Sequence, residues 1–157
     1  MKKRSTERLS TSHVLLGLLQ MQVNPTFVDL AGRCGYDFLF LDGEHGNFSE
    51  EDFRLTLQSL AATDVLALVR LGGHDWQALA RYVDMGADGI IVPHVSTAEE
   101  ARAMVAAMDR QSRRAALIAI IESRLGVLHA EQILGVDGID GAIVGPNDLA
   151  ADIGCQG

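Results

Sequence analysis

The amino-acid sequence predicts a parallel α/β fold, either a doubly wound sheet or a (β/α)8 barrel, on three observations. Short apolar runs alternate with longer stretches whose apolar residues recur at i, i+3 and i+4. One strand-plus-helix unit returns roughly every 25 residues, which is the spacing of strands joined by helical crossovers. Several runs are apolar at consecutive positions, Ile90-Ile91-Val92 and Leu117-Ile118-Ala119-Ile120-Ile121 among them, as strands covered on both faces must be.

In chain order, a strand is expected over residues 13–21 and a helix over 26–34, with Gly35 placed to end that helix in a left-handed cap. The second strand, 37–41, leads into Asp42-Gly43-Glu44-His45, and a helix over 50–61 carries the chain back. The third strand, 66–71, has Arg70 near its end, and its helix, 75–85, stops at Gly86. The fourth, 89–95, holds Pro93-His94, and the helix over 98–108 opens on Thr97-Ala98-Glu99-Glu100, a capping-box pattern. The fifth, 116–122, ends in Glu122, and a helix over 127–134 is closed by Gly135. The sixth, 140–144, runs into Gly145-Pro146-Asn147-Asp148, with another helix starting near Leu149. No linker, low-complexity tract or charge block divides the 157 residues, so a single domain is expected. A complete barrel needs about 250 residues, and six strands leave two units unaccounted for.

Composition narrows the function classes. A net charge of −8 with 13 scattered Lys and Arg excludes the clustered cations of a nucleic-acid footprint. No apolar run reaches the roughly 18 residues of a membrane-spanning helix. The basic start Met1-Lys2-Lys3-Arg4 is followed by polar residues that include Glu7 and Arg8, which is not a signal-peptide pattern, and a cytoplasmic protein is expected. Cys34 and Cys155 have no CxxC partner and no His at zinc spacing, so they read as inert thiols.

In a parallel α/β protein the chemistry sits at the carboxyl ends of the strands. Glu122 and Asp148 come from neighbouring strand ends, and such a pair can hold a hard divalent cation while leaving positions for a 2-oxo acid to chelate. Alternatively Glu122 pairs with an Arg and Asp148 caps a helix. Arg70 closes an apolar strand, where a guanidinium needs an anion. An enolate oxygen, a substrate carboxylate, or a salt bridge to Asp42 or Glu44 would each supply one. His45 follows Asp42 by three residues, a spacing at which the carboxylate can fix the imidazole as a base; a packing role is the alternative. His94 is a weaker candidate for ligand contact, and His13, His74 and His129 have no supporting context.

With these residues in place, the sequence resembles the HpcH/HpaI aldolase family of the pyruvate/phosphoenolpyruvate barrel superfamily. The resemblance rests on Phe38-Leu39-Phe40-Leu41-Asp42-Gly43-Glu44-His45, Val69-Arg70, the stretch from Leu79 through Met85-Gly86-Ala87-Asp88-Gly89 to Pro93-His94-Val95, Ile121-Glu122-Ser123, and Val136 through Gly145-Pro146-Asn147-Asp148-Leu149-Ala150. It implies a TIM-type (β/α) barrel, here with six of eight strands and without the last two βα units. It implies a class II, metal-dependent lyase that reversibly cleaves 4-hydroxy-2-oxo acids to pyruvate and an aldehyde through a metal-bound enolate, using Mg²⁺, Mn²⁺ or Co²⁺. In that scheme Glu122 and Asp148 are metal ligands, Arg70 stabilises the enolate oxygen, and His45 with Asp42 handles the proton. Gly145, Pro146, Asn147 and Asp148 line the substrate carboxylate, although Pro146 has no N–H to donate. Asp84 lies near a subunit contact, and a homo-oligomer is expected. Ile120 stands where the family carries Gln, and residues 109–115 replace a longer segment. Oxaloacetate decarboxylation and citrate-synthase-like condensation are related enolate outcomes, and a non-catalytic remnant that binds a 2-oxo acid or a partner subunit is the alternative of a different class.

Overall fold

Six parallel strands, hydrogen-bonded in sequential order, form a sheet that curls into a half-barrel with its helices outside. The computed structural model describes residue 9 and residues 13–155. The basic start Met1-Lys2-Lys3-Arg4 lies outside the described residues. The elements are β1 (Gly17–Gln20), α1 (Pro25–Cys34), β2 (Phe38–Asp42), α2 (Glu50–Ala61), β3 (Leu66–Arg70), α3 (Trp76–Met85), β4 (Gly89–Val92), α4 (Ala98–Met108), β5 (Ala116–Ile121), α5 (Arg124–Leu128), α6 (Ala130–Leu134), β6 (Gly141–Val144) and α7 (Pro146–Asp152).

The alternation expected of strands sorts the side chains into two layers. Leu39 and Leu41, Ala67 and Val69, Ile90 and Val92, and Leu117, Ala119 and Ile121 face the helices, where they meet Val28, Phe53, Leu57, Leu79, Val83, Met104, Met108 and Ile133. Each fully buried aliphatic or aromatic side chain in this layer contributes about 1.5–3 kcal/mol. Leu68, Ile91 and Ile120 form a second cluster on the concave face with Phe38, Phe40, Ile118 and Ile143. Extending those inward rows by two residues brings Asp42, Arg70 and Glu122 to the rim. The sequence parity that builds the core thus also aims the polar residues.

Helix starts follow the sequence signals. Thr97 and Glu100 form the expected capping box, and Ser49 with Asp52 forms a second. Gly35 and Gly86 cap their helices at φ 76° and 108°, a conformation that side-chain-bearing residues resist. Gly135 departs from expectation: its φ is −77°, an ordinary right-handed value, because its amide simply closes a last turn on Glu131. The single helix expected over 127–134 is two short ones, α5 and α6, separated at His129. His129 leaves helical geometry, and its Nδ1 lies 3.0 Å from the Ser96 carbonyl. The first strand is also shorter than expected, since only Gly17–Gln20 pairs with β2.

At the amino ends of the strands, three aspartates do one repeated job. Asp37 accepts the Leu16 amide at 2.9 Å, Asp88 the Ala67 amide at 3.0 Å, and Asp140 the Leu117 amide at 2.7 Å. Each pins the start of the preceding strand and sets its register. The edge strands β1 and β6 have one sheet neighbour apiece and carry exposed apolar residues, Leu19 and Val144. Among the described residues no helix is long and apolar enough to cross a membrane.

Candidate active site

The carboxyl ends of β2, β3, β5 and β6 surround a cleft of about 380 Å³. Asp42, His45, Arg70, Glu122, Gly145, Pro146, Asn147 and Asp148 all line it, opposite an apolar wall of Leu19, Met21, Phe40, Ile120, Ile143 and Val144. Asp84 does not join them. It is exposed on α3, beside a shallow groove lined by Glu50, Arg54, Gln58, Arg81 and Met85.

Arg70 is the hub of the rim. Its side chain is only 11% exposed. Its Nε donates to Asp42 Oδ1 at 2.8 Å, one terminal nitrogen donates to Asp42 Oδ2, and the other lies 2.9 Å from Glu44 Oε2. The fork matches Asp42 bidentately, which fixes the guanidinium plane, and the Phe40 ring lies 5.8 Å beneath it. Asp42 also accepts the amides of Glu44 and His45 at 3.0 Å each. Burial pushes the Asp42 carboxyl up, but the Arg70 guanidinium and the two amides outweigh it and leave Asp42 below the usual carboxylate range. Burial likewise works against the Arg70 charge, and Asp42, Glu44 and Glu122 outweigh it, so its pKa rises.

The expected contact between Asp42 and the His45 imidazole is replaced by another arrangement. Asp42 holds the His45 backbone, while the ring, 57% exposed at the rim, has Nε2 4.0 Å from Glu44 Oε2. The turn after β2 is tight: a Cβ on Gly43 would meet the Arg70 carbonyl at 2.4 Å, so only glycine lets the loop fold back over β3.

Glu122, like Asp42, is a buried acid of the cleft, its side chain 2% exposed. Oε1 accepts the His94 amide at 2.7 Å and lies 2.9 Å from His94 Nδ1. Oε2 takes no hydrogen bond from the described residues and faces Gly145, where a Cβ would come within 2.5 Å of it. Burial raises the Glu122 pKa. His94 opposes that rise, and the charges of Glu44 and Asp148 add to it. Asp148 sits in the first turn of α7 without a side-chain capping bond, so it is not held as a helix cap. The Gly145 amide is taken by the Ile121 carbonyl at 3.1 Å, which removes it from the donors available to a ligand. Asn147 and Asp148 lie in the first helical turn, where amides lack intrahelical acceptors.

Two residues carry more of the rim than the sequence signals. Glu44 bridges Arg70 and His94, with Oε1 2.8 Å from His94 Nε2. His94 sits at φ 57°, a left-handed backbone costing about 1–3 kcal/mol in a non-glycine residue. The acid cluster after β2 was the available signal for Glu44, whereas nothing local marks the backbone of His94.

The donor set fits a hard divalent cation. Such ions take one or two carboxylates and complete their shell with water and substrate oxygens. Glu122 Oε2 is uncommitted within the chain, Asp148 faces the same cleft, and their mutual repulsion is relieved by a cation. Among the described residues no group of three or more His, Cys, Asp and Glu is placed to hold a metal, so the shell would need substrate or water.

Comparison with known proteins identifies the family. The HpcH/HpaI aldolase/citrate lyase family matches residues 16–157. A 4-hydroxy-2-oxovalerate aldolase of Novosphingobium aromaticivorans is 34% identical over 92% of the chain and 65% of its own length. A hydroxypyruvate/pyruvate aldolase of Sagittula stellata is 29% identical over 99% of the chain and 72% of its own length. A crystal structure of a family protein from Burkholderia cenocepacia superposes with a TM-score of 0.90 at 24% identity, covering 99% of this chain and 74% of that one. The chain therefore spans about two thirds of the length of the curated relatives it matches. With the family match covering most of its length, the chain belongs to the HpcH/HpaI aldolase/citrate lyase family.

Proposed function

We propose that the cleft catalyses reversible aldol cleavage of a 4-hydroxy-2-oxo acid to pyruvate and an aldehyde, with a divalent cation, Mg²⁺, Mn²⁺ or Co²⁺, held by Glu122 and Asp148. The observation that carries the reading is that these two acids and the Arg70 guanidinium line one cleft at the carboxyl ends of the sheet. The names of the related aldolases support the reaction class. When bound, the cation supplies a Lewis acid for the keto group.

The chain's own residues divide the remaining work. Arg70, locked by Asp42 and Glu44, is already oriented when negative charge develops on the keto oxygen, so no reorganisation is needed at that moment. His45, at the open rim, takes the proton of the C4 hydroxyl during cleavage and returns it during synthesis. Asn147 and Asp148 offer first-turn amides to the substrate carboxylate. The apolar wall around Ile120 keeps water from the carbon that gains charge. On the same reading the chain is one domain acting as a cytoplasmic homo-oligomer, with Asp84 on the contacting surface and no role for nucleic acid.

The test is methyl-proton exchange of pyruvate in D₂O with Mn²⁺, followed by NMR. Exchange that disappears with EDTA and in Glu122→Ala supports the reading. A folded, Mn²⁺-loaded chain that leaves the methyl protons unexchanged contradicts it.

A further inference from the structure

Among the described residues, His94 is the one non-glycine residue with a positive φ. His tolerates that region better than most residues, yet the backbone remains unfavourable there for any side chain. What the conformation achieves is specific. It aims the His94 amide at Glu122 Oε1, 2.7 Å away, and brings ring Nδ1 to the same oxygen at 2.9 Å. The other ring nitrogen, Nε2, lies 2.8 Å from Glu44 Oε1. One residue therefore holds Glu122 Oε1 through its backbone amide and places a ring nitrogen beside each of two carboxylates, both of which it can donate to only as the doubly protonated imidazolium.

Packing does not account for this arrangement. The His94 side chain is 55% exposed, so its burial contributes little, and a glycine would meet the backbone requirement without strain. The ring is instead the link between Glu44 and Glu122 in an unbroken chain of polar contacts: Asp42, Arg70, Glu44, His94, Glu122. That chain joins the ends of β2, β3, β4 and β5. With Oε1 bonded by the His94 amide and flanked by the ring Nδ1, the Glu122 carboxylate is confined, and Oε2 stays directed toward Gly145 and the cleft.

We propose that His94 is a positioning residue: its ring fixes the Glu122 carboxylate for cation binding and ties it, through Glu44, to the guanidinium that faces the substrate. The proposal rests on the reading of Glu122 as a cation ligand. Groups that orient ligands from behind change metal affinity by about 10–100-fold when removed.

The informative variant is His94→Gly, which keeps the amide, relaxes the left-handed backbone and deletes only the ring. Mn²⁺ affinity is measured by the EPR signal of the free ion, alongside the thermal midpoint without metal. The expected result is a midpoint equal to or above that of the parent chain together with a Mn²⁺ Kd weakened about 10–100-fold. Pyruvate proton exchange in the variant should then recover when Mn²⁺ is raised to saturation. His94→Asn, which accepts a positive φ and can donate from its amide, should regain part of the affinity. A purely structural role moves the midpoint down and leaves Kd alone, and that outcome overturns the proposal. An unchanged Kd in a folded His94→Gly chain overturns it as well. Failure of the parent chain itself to bind Mn²⁺ is a different result: it removes the reading of Glu122, and this proposal falls with it.

Discussion

The two ends of the sheet use the same residue types for opposite purposes. At the amino ends, three of the Gly-x-Asp segments share one geometry: Gly35-Tyr36-Asp37, Gly86-Ala87-Asp88 and Gly138-Ile139-Asp140. Each of these glycines has a positive φ, and each aspartate accepts a backbone amide of the preceding strand. At the carboxyl ends that arrangement does not recur. Asp42, Glu44 and Glu122 are tied to Arg70 and His94 rather than to strand-start amides, and a positive φ falls on a histidine as well as on Gly73. An acid whose need is met by a neighbouring amide serves register. Acids crowded beside one guanidinium, with an oxygen left toward a cleft, are on the proposed reading the ones that serve a ligand.

Substitutions at the two ends should separate these roles. The largest effect is expected for Glu122→Gln, which removes a cation ligand and should lower Mn²⁺-dependent pyruvate exchange by about 10²–10³-fold, while urea unfolding without metal changes little or moves toward greater stability. Arg70→Lys keeps the charge but loses the fork that Asp42 grips, so exchange at saturating Mn²⁺ should fall about 100-fold. Equal exchange rates in this variant would mean that the guanidinium is only a structural counterion.

Asp42→Asn should destabilise the chain by about 2 kcal/mol at pH 7, since a buried charge-assisted pair is lost. The sign of its pH dependence follows from Asp42 lying below the usual carboxylate range. The contribution is complete above the unfolded value of about 3.9 and is lost as pH falls through the lower folded value. The gap between parent and variant, measured by urea unfolding, should therefore be widest at neutral pH and close in acid. The smallest effect belongs to the other end of the sheet. Asp88→Ala should cost about 1 kcal/mol and leave exchange kinetics untouched; a fall in exchange at constant stability would blur the division between the two ends.

Much of this organisation was legible in the sequence. Consecutive apolar residues marked the inner strands, while the choice between a doubly wound order and the sequential order of a barrel came from the family resemblance, since right-handed crossovers are common to both. The strand ends carrying Asp42, Arg70 and Glu122 were also legible, because strand parity continues past the last apolar residue, and Asp148 was legible from its place just after the sixth strand. Other features depended on tertiary partners. Gly135 resembles Gly35 and Gly86 as a helix stop, yet its turn closes without a left-handed residue. The break at His129 depends on the Ser96 carbonyl, 33 positions away in sequence. The partner of Asp42 was open between the His45 ring and Arg70, and the guanidinium took it because β2 and β3 pair Asp42 directly with Arg70. His94 was undervalued for the same reason: its amide and ring meet Glu122, a residue just past the end of the next strand.

The most direct measurement of the central claim is an anomalous difference map from crystals of the chain soaked with Mn²⁺ and pyruvate. The expected result is a single strong peak between the carboxylates of Glu122 and Asp148, within ligand distance of both, with the pyruvate keto oxygen pointing at Arg70. A peak elsewhere, or a cleft holding pyruvate with the two acids turned away from any ion, would contradict the account.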